Sequence, residues 1–280
     1  MFYQQEKQLA IEAVTAAAKL CEQVRREQGS SAMKKPDHSP VTVADFGAQA
    51  VICQALASAF PDDSVVAEED SAFLRSPANL EQLALVTNYV QAQVAGATVE
   101  DVTSWIDWGN GTVVSRYWTL DPIDGTKGYV RGDQYAIALA LVEEGELKLG
   151  VMGCPALPIN MAQPDGEGGV IFVAVKDQGT TMIPLNGGEP QAIYTTNADE
   201  VASRRLIESV ETRHGNVAVQ QAIVKDVGLI APSLRLDSMA KYGVVARGEA
   251  ALYIRLPFPL TSQKRQNIWD HAAGAIIFSQ

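Results

Sequence analysis

Long apolar runs are missing from this sequence. No stretch approaches the roughly 20 residues that a membrane-spanning helix requires, and residues 1–8 are polar, so neither membrane insertion nor secretion is predicted. Cysteine is also scarce. Cys21, Cys53 and Cys154 lie in apolar segments, and their odd count without paired spacing favours buried thiols in a reducing compartment over a disulfide framework. The expected location is therefore the cytoplasm.

Positive charge is the third deficiency. The 22 Lys and Arg residues are outnumbered by 33 Asp and Glu residues, which gives a formal net charge of −11. Such a chain lacks the long-range attraction that binding to nucleic acid or to an anionic membrane needs, so neither is predicted as a partner. A small anionic substrate is compatible with this charge if bound cations or a few focused basic residues reverse the local field.

The chain has enough residues for a sizeable core: 280 residues, 47% of them apolar, form either one large domain or two closely packed lobes. Periodicity predicts helices over residues 4–28, 43–60 and 79–94, and strands at 64–67, 117–120, 135–142, 147–152, 170–175 and 180–183. After residue 190, shorter pieces predict helices near 199–209, 237–247 and 268–278 and a strand near 251–254. We therefore expect two lobes, residues 1–184 and 185–280.

The segment over residues 118–132, WTLDPIDGTKGYVRG, carries the most chemical information. A β-rich run ends there in two carboxylates, Asp121 and Asp124, followed by Gly125 and Thr126. Asp-Pro and Asp-Gly also form ordinary turns, and Thr126 could serve only as a helix cap, so this segment alone leaves both interpretations open.

Four more carboxylates adjoin apolar segments: Glu68 and Glu69 in VVAEED, Asp45 in SPVTVADF and Asp270 in IWDHAAG. Carboxylates at the ends of core elements are costly to desolvate unless positive charge compensates them, and hard divalent cations prefer oxygen ligands. A magnesium cluster explains the whole set. Singly, each acid also has an ordinary explanation. Asp45 could close a capping box with Thr42, Glu69 could be a solvated charge, and Asp270 could favour a helix start through the helix dipole.

These motifs resemble those of the inositol monophosphatase superfamily of magnesium-dependent, lithium-sensitive phosphatases. The resemblance rests on the DPIDGT loop after a strand and on a distant WDHAAG that opens a helix, and it covers nearly the whole chain. It implies a layered α/β fold of the sugar-phosphatase type (αβαβα), with two lobes that each hold a sheet flanked by helices. It also implies a phosphomonoesterase that uses two to three Mg²⁺ ions and is inhibited by Li⁺.

The resemblance assigns the metal ligands. Glu68, Asp121 and the backbone carbonyl of Ile123 are expected to bind one ion. Asp121, Asp124 and Asp270 are expected to bind the second, so that Asp121 bridges the two.

The resemblance also assigns the groups around the attacking water and the phosphate. Asp45 and Thr126 are similar to the pair that orients and deprotonates this water, together with a third, weaker ion. Glu69 is expected to support the metal ligands without touching the ions. The backbone amides of Gly125, Thr126 and Lys127, at a helix start, are expected to contact phosphate oxygens.

Within the superfamily, the DGTKGYVRGDQYA segment resembles the bisphosphate nucleotidases, because Lys127 follows DGT and Arg131 begins the RGxQYA continuation. This resemblance implies hydrolysis of the 3′-phosphate of adenosine 3′,5′-bisphosphate to AMP and phosphate, with extension to the sulfated analogue phosphoadenosine phosphosulfate. The expected contacts to this small nucleotide are His214, Ser238, Lys241 and Arg255. From the residues alone, an ordinary loop histidine at His214 and solvated or ion-paired surface cations at Lys241 and Arg255 are the favoured interpretation.

Two alternatives stay open at this point: an inositol phosphate 1-phosphatase and a non-catalytic nucleotide or metal sensor with the same fold. Retention of every acid in the cluster favours an enzyme, and a monomer is expected. Tyr129 and Val130 stand where the family pattern has Phe and Leu. The sequence also stops ten residues after Asp270, where family members usually continue; an edge strand of the second lobe is expected to be absent only if this is the whole protein.

Overall fold

The computed structural model describes residues 2–29, 31–164, 166, 168–197, 204–210, 217–229, 231–256, 261 and 265–280. Its helices are α1 Gln4–Gln28, α2 Val43–Ala59, α3 Ala72–Arg75, α4 Leu80–Gln93, α5 Val99–Trp108, α6 Thr126–Arg131, α7 Val217–Asp226, α8 Ala240–Ala246 and α9 Ala272–Ser279. Its strands are β1 Met33–Lys34, β2 Pro40–Val41, β3 Ser64–Ala67, β4 Arg116–Asp124, β5 Ala136–Glu143, β6 Glu146–Pro158, β7 Gly168–Val175, β8 Thr180–Pro184, β9 Gln191–Ile193, β10 Leu206–Ser209, β11 Leu234–Leu236 and β12 Leu252–Tyr253.

A seven-stranded sheet with the order β3-β4-β5-β6-β7-β8-β9 forms the centre of the molecule. The pair β3–β4 is parallel, and the pairs from β4 through β9 are antiparallel. The outer edge of β3 is covered by the chain after α5, because the Ala67 amide donates to the Gly109 carbonyl and the Gly111 amide to the Val65 carbonyl, both at 2.8 Å. This loop satisfies backbone groups that an open edge would expose.

The two faces of the sheet bury different side chains. Along β5, Ile137, Leu139 and Leu141 join the core beneath α1 and α2, while alternate residues of the same strand join the core beneath α8 and α9. Those alternate residues are alanines at 136, 138 and 140. Since successive strand residues point to opposite faces, this alternation of large and small residues lets each face accept its own helix pair.

A second, smaller sheet lies beyond α8. Its order is β11-β10-β12, and both pairings are parallel. Helix α8 contacts β6 of the large sheet and also β10 and β12 of the small one, so helices, sheet, helices and sheet follow one another in layers. A hydrogen bond of 3.2 Å from Gln220 Nε2 to the Ile254 carbonyl attaches α7 beside the end of β12. This mixed α/β arrangement confirms the predicted layered fold class.

The predicted elements of the first half are confirmed within a few residues, and the predicted helix near 199–209 is wrong. Residues 206–209 of that segment form β10, and residues 198–203 lie outside the described residues. A short apolar run that enters a buried parallel strand carries no period that separates it from a helix. The boundary between lobes at residues 184 and 185 stays a prediction, although β9 still pairs with β8 of the large sheet.

Two further predictions concern the burial of the cysteine thiols and the lack of a membrane-spanning helix. The three cysteines are buried free thiols, as expected. Among the parts of the chain that the structure describes, no helix has the length and apolarity to cross a membrane.

Candidate active site

A bulge at the end of β4 brings Asp121 and Asp124 to the same side. Asp121 pairs with Ala138 and Asp124 with Ala136, so three steps along β4 oppose two along β5. In a regular strand, residues three apart would face opposite sides of the sheet, and the one extra residue reverses the second of them. The Ile123 amide donates to Asp121 Oδ1 at 3.1 Å, which fixes the turn from inside.

Asp270 completes a cluster with these two aspartates. Asp121, Asp124 and Asp270 each offer a carboxylate oxygen, and the three oxygens lie within 4.8 Å of one another. Asp270 lies two positions before Ala272, the first residue of α9, and accepts a hydrogen bond of 2.8 Å from the Asn267 amide; it does not cap α9 and is outside its first turn. Residues nearly 150 positions apart thus place three negative charges at one point.

Glu68 and Glu69, which follow β3, approach the cluster from a second direction. Hydrogen bonding to the Glu68 carboxylate is among the causes that raise the pKa of Asp121, so Glu68 lies beside the cluster. Glu69 is buried rather than solvated, and Lys35 Nζ lies 2.5 Å from Glu69 Oε1 and 3.6 Å from Glu68 Oε1. Gln49 Oε1 accepts the Glu69 amide at 3.0 Å. The solvated-charge interpretation of Glu69 is therefore wrong.

Asp45 performs two tasks with its two oxygens. Oδ2 accepts hydrogen bonds from the Thr42 amide at 2.7 Å and the Thr42 hydroxyl at 2.6 Å, which closes the capping box at the start of α2. Oδ1 accepts from the Thr126 hydroxyl at 3.3 Å. The capping and catalytic interpretations of Asp45 are therefore compatible. Thr126 Oγ1 also lies 3.2 Å from the carbonyl oxygen of Ile123.

Burial and mutual repulsion raise the pKa values of four of these carboxyl groups. Burial raises the pKa of Asp121 well above its usual value, and Glu68, Asp124 and Asp270 raise it further. Burial likewise raises the pKa of Asp124 to about 6, of Asp45 to about 7 and of Glu69 to about 8. Carboxylates packed this closely ionise together only when positive charge is added.

This carboxylate cluster fits divalent cations on three grounds. The donors are hard oxygen atoms, they converge from separate elements, and they carry more negative charge than nearby protein cations offset. A site held together by internal ion pairs would instead pair each acid with a base. Asp121, Asp124 and Asp270 are the described residues whose carboxylate oxygens lie close enough together to hold such an ion.

The structure describes each of the predicted substrate residues except His214. Gly125 and Lys127 lie at the start of α6, with Lys127 exposed. Ser238 packs on Gly125, since a Cβ built on Gly125 would lie 2.9 Å from Ser238 Cβ. Arg255 lies within electrostatic reach of Asp124, whose pKa it lowers against the effect of burial. His214 lies outside the described residues.

Lys241 is placed differently from a surface lysine. It is 3% exposed, and its Nζ donates to the Ser238 carbonyl at 2.6 Å and the Leu236 carbonyl at 3.2 Å. Burial lowers its pKa to about 8, and the Asp124 and Asp237 carboxylates oppose that shift. The surface-solvation interpretation of Lys241 is therefore wrong. The Lys241 ammonium group holds the backbone beside Ser238 through these hydrogen bonds.

Sequence reasoning missed three residues that shape the site: Lys35, Gln49 and His271. Lys35 and Gln49 hold Glu69, and His271 Nδ1 lies 2.9 Å from the Tyr242 hydroxyl, which ties the residue after Asp270 to α8. A carboxylate beside an apolar segment, such as Glu69, requires a nearby cation, and this requirement was the signal that could have pointed to Lys35. Gln49 and His271 gave no such signal, because their partners are distant in sequence.

Comparisons with known proteins agree with this geometry. The sequence profile of the inositol monophosphatase family matches residues 3–279. A 3′(2′),5′-bisphosphate nucleotidase of Schizosaccharomyces pombe is 39% identical over 300 residues, covering 100% of this chain and 84% of that protein. 3′(2′),5′-Bisphosphate nucleotidase 1 of Arabidopsis thaliana is 38% identical over 302 residues, covering 100% of this chain and 84% of that protein.

Solved structures show the same fold at lower identity. The extragenic suppressor protein suhB of Bartonella henselae superposes with a TM-score of 0.63 at 16% identity, covering 97% of this chain and 83% of that one. CysQ of Bacteroides thetaiotaomicron, a bacterial member of the inositol monophosphatase family, superposes with a TM-score of 0.59 at 18% identity, covering 99% and 86%.

Proposed function

Because the chain belongs to the inositol monophosphatase family, we propose that it hydrolyses the 3′-phosphate of adenosine 3′,5′-bisphosphate to give AMP and phosphate, with Mg²⁺ as cofactor. The observation that carries the proposal is the carboxylate cluster of Asp121, Asp124 and Asp270, with the Asp45–Thr126 pair beside it. The names of curated relatives at 38–39% identity supply the substrate. The sulfated analogue, phosphoadenosine phosphosulfate, is a second expected substrate.

Two Mg²⁺ ions are proposed at the cluster. Glu68, Asp121 and the Ile123 carbonyl would hold one, and Asp121, Asp124 and Asp270 the other. A third, weaker ion belongs near Asp45. Ions held there would acidify a water molecule and neutralise charge on the oxygen that leaves phosphorus. Glu69 contributes by fixing Lys35 and the chain at Glu68, since it is buried between Lys35 and Gln49.

The Asp45–Thr126 pair provides the path for the proton of the attacking water. The Thr126 hydroxyl donates to Asp45 Oδ1, so its oxygen can accept a proton from water while its own proton passes to Asp45. Asp45 Oδ2 stays occupied by Thr42, which holds the carboxylate in one orientation. The amides of Gly125, Thr126 and Lys127, at the start of α6, would contact the phosphate oxygens.

The remaining part of the nucleotide is assigned to the second lobe. Lys241 and Arg255 lie within electrostatic reach of Asp124, with Ser238 next to Lys241, and these two cations supply the focused positive charge that a net charge of −11 requires for an anionic substrate. His214 is proposed for the same nucleotide. An inositol phosphate 1-phosphatase is the second candidate, favoured only by the fold shared with structures at about 20% identity.

The test compares phosphate release from adenosine 3′,5′-bisphosphate and from inositol 1-phosphate, each with Mg²⁺, with added Li⁺ and with chelator. Release from the nucleotide alone, lost with chelator and inhibited by Li⁺, is the expected result. Preference for inositol phosphate would contradict the nucleotide assignment and retain the metal cluster. Turnover unaffected by chelator would contradict the metal assignment itself.

A monomer in the cytoplasm is the proposed state of the enzyme. The buried free thiols Cys21, Cys53 and Cys154 are compatible with a reducing compartment. Size-exclusion chromatography with light scattering tests the monomer, and a dimer mass would contradict it.

A further inference from the structure

The segment from Asp237 to Met239 joins the second lobe to the metal loop. The Met239 amide donates a short hydrogen bond to Asp124 Oδ2. Ser238 adopts a φ of 64°, and it packs on Gly125 so closely that a Cβ built there would lie 2.9 Å from Ser238 Cβ. A non-glycine residue in this backbone region needs support from its surroundings. The segment is thus held in one strained conformation against a proposed metal ligand.

Arg131 at the end of α6 provides that support. Its Nη2 donates a short hydrogen bond to Asp237 Oδ2, and its Nε donates to Asp133 Oδ2 at 3.0 Å. Asp237 is 5% exposed. The approach depends on Gly128, where a Cβ would lie 2.9 Å from Asp237 Cβ. A side chain at position 128 would therefore come between α6 and the segment and would separate Arg131 from Asp237.

Both ends of α6 therefore contact the segment from Asp237 to Met239. Gly125 and Ser238 are in contact at the beginning of the helix, and Arg131 holds Asp237 at its end. On the other side, Lys241 Nζ donates to the Ser238 carbonyl.

We propose that Arg131 and Asp237 form a positioning pair that sets the distance between the reacting phosphate at the metal loop and the part of the substrate bound by Ser238 and Lys241. This inference rests on the proposed function. A rigid spacing matters only for a substrate that occupies both places, namely a nucleotide with two phosphates. The pair therefore determines selectivity for bisphosphate over monophosphate substrates, while the water chemistry at Asp45 and Thr126 proceeds without it.

The test uses the full chain with Arg131→Met and Arg131→Lys, assayed with adenosine 3′,5′-bisphosphate and with adenosine 3′-monophosphate. For Arg131→Met we expect the ratio of the two kcat/KM values to fall about tenfold, mostly through KM for the bisphosphate, because losing about 1.4 kcal/mol of binding at the second part of the substrate lowers affinity tenfold. Arg131→Lys, which keeps the charge, should recover part of the ratio. Asp237→Asn should lower it as Arg131→Met does.

Arg235→Met is the matched control. Arg235 pairs with Glu208 across β10 and β11 at 3.4 Å, two residues from Asp237 in sequence, and makes the same kind of ion pair on the lobe's own sheet. Its substrate ratio should stay at the unaltered value. Equal losses on both substrates in the Arg131 variants, or an unchanged ratio, would overturn the positioning role. An unaltered chain that does not prefer the bisphosphate would instead remove the proposed function, and the inference with it.

Discussion

Replacing Gly150 with alanine should disturb the proposed magnesium site by displacing α9. Gly150 lies on β6 where α9 crosses it, and a Cβ there would lie 2.3 Å from Ile276 Cγ2 and 3.0 Å from the Ala273 carbonyl oxygen. Both contacts belong to α9, whose first residue, Ala272, follows Asp270 by two positions. The helix must therefore move away from β6, and it carries Asp270 with it.

The size of the effect follows from overpacking. Inserting one methyl group into a close-packed contact costs about 1–3 kcal/mol. For a chain of this size, each kcal/mol lowers the melting temperature by about 2–4 °C. If about 1.4 kcal/mol of the strain is relieved by displacing Asp270, the affinity for Mg²⁺ falls about tenfold. The assay measures thermal unfolding in chelator and the Mg²⁺ concentration that gives half-maximal phosphate release.

Gly153→Ala provides the matched control, because Gly153 is on the same strand and faces the opposite helix. A Cβ there would lie 2.8 Å from Val14 Cγ1 in α1, on the side of the sheet away from α9. This variant should lose stability without changing the Mg²⁺ requirement. If both variants shift the Mg²⁺ requirement equally, or neither does, the link from β6 through α9 to Asp270 is refuted.

Three further predictions concern the site. Thr126→Ala should lower kcat by about 10²–10⁴ with KM nearly unchanged, measured by phosphate release, because it breaks the proton path to Asp45; an equal loss through KM would contradict this. Lys35→Met should lower the melting temperature in Mg²⁺ by leaving the buried Glu69 carboxylate without its partner, and an unchanged value would contradict the pairing. Because the folded pKa values of Asp45 and Glu69, about 7 and about 8, exceed their unfolded values of 3.8 and 4.5, the chelated protein should lose stability between about pH 4 and pH 8. A melting temperature in chelator that rises with pH over this range would contradict the raised pKa values. Added Mg²⁺ should reduce the loss of stability.

The sequence predicted the elements that follow a clear period. Helix α1 begins and ends where the apolar stripe predicted, and β3 matches its predicted bounds. The acids of the site were found because carboxylates beside apolar runs require compensation. The helix near 199–209 failed because the Leu206–Ser209 strand is too short to show a period.

Pairings between distant residues could not be predicted from the sequence. Lys35 meets Glu69, and Arg131 meets Asp237, only because the large sheet and α6 bring them together. For Asp45 the capping and proton-accepting interpretations do not exclude each other, because a carboxylate has two oxygens and can serve both.

The double use of Asp45 has a consequence for descendants of this gene. If Asp45 accepts the proton as proposed, a mutation that removes its carboxylate stops turnover and also loosens the start of α2, so activity and local stability are lost together. An inactive lineage that drifted neutrally would give up Thr126 more readily, because the α2 cap does not depend on its hydroxyl. Among distant homologues, an aspartate retained at position 45 is therefore weak evidence of an active enzyme, and a threonine retained at position 126 is more informative.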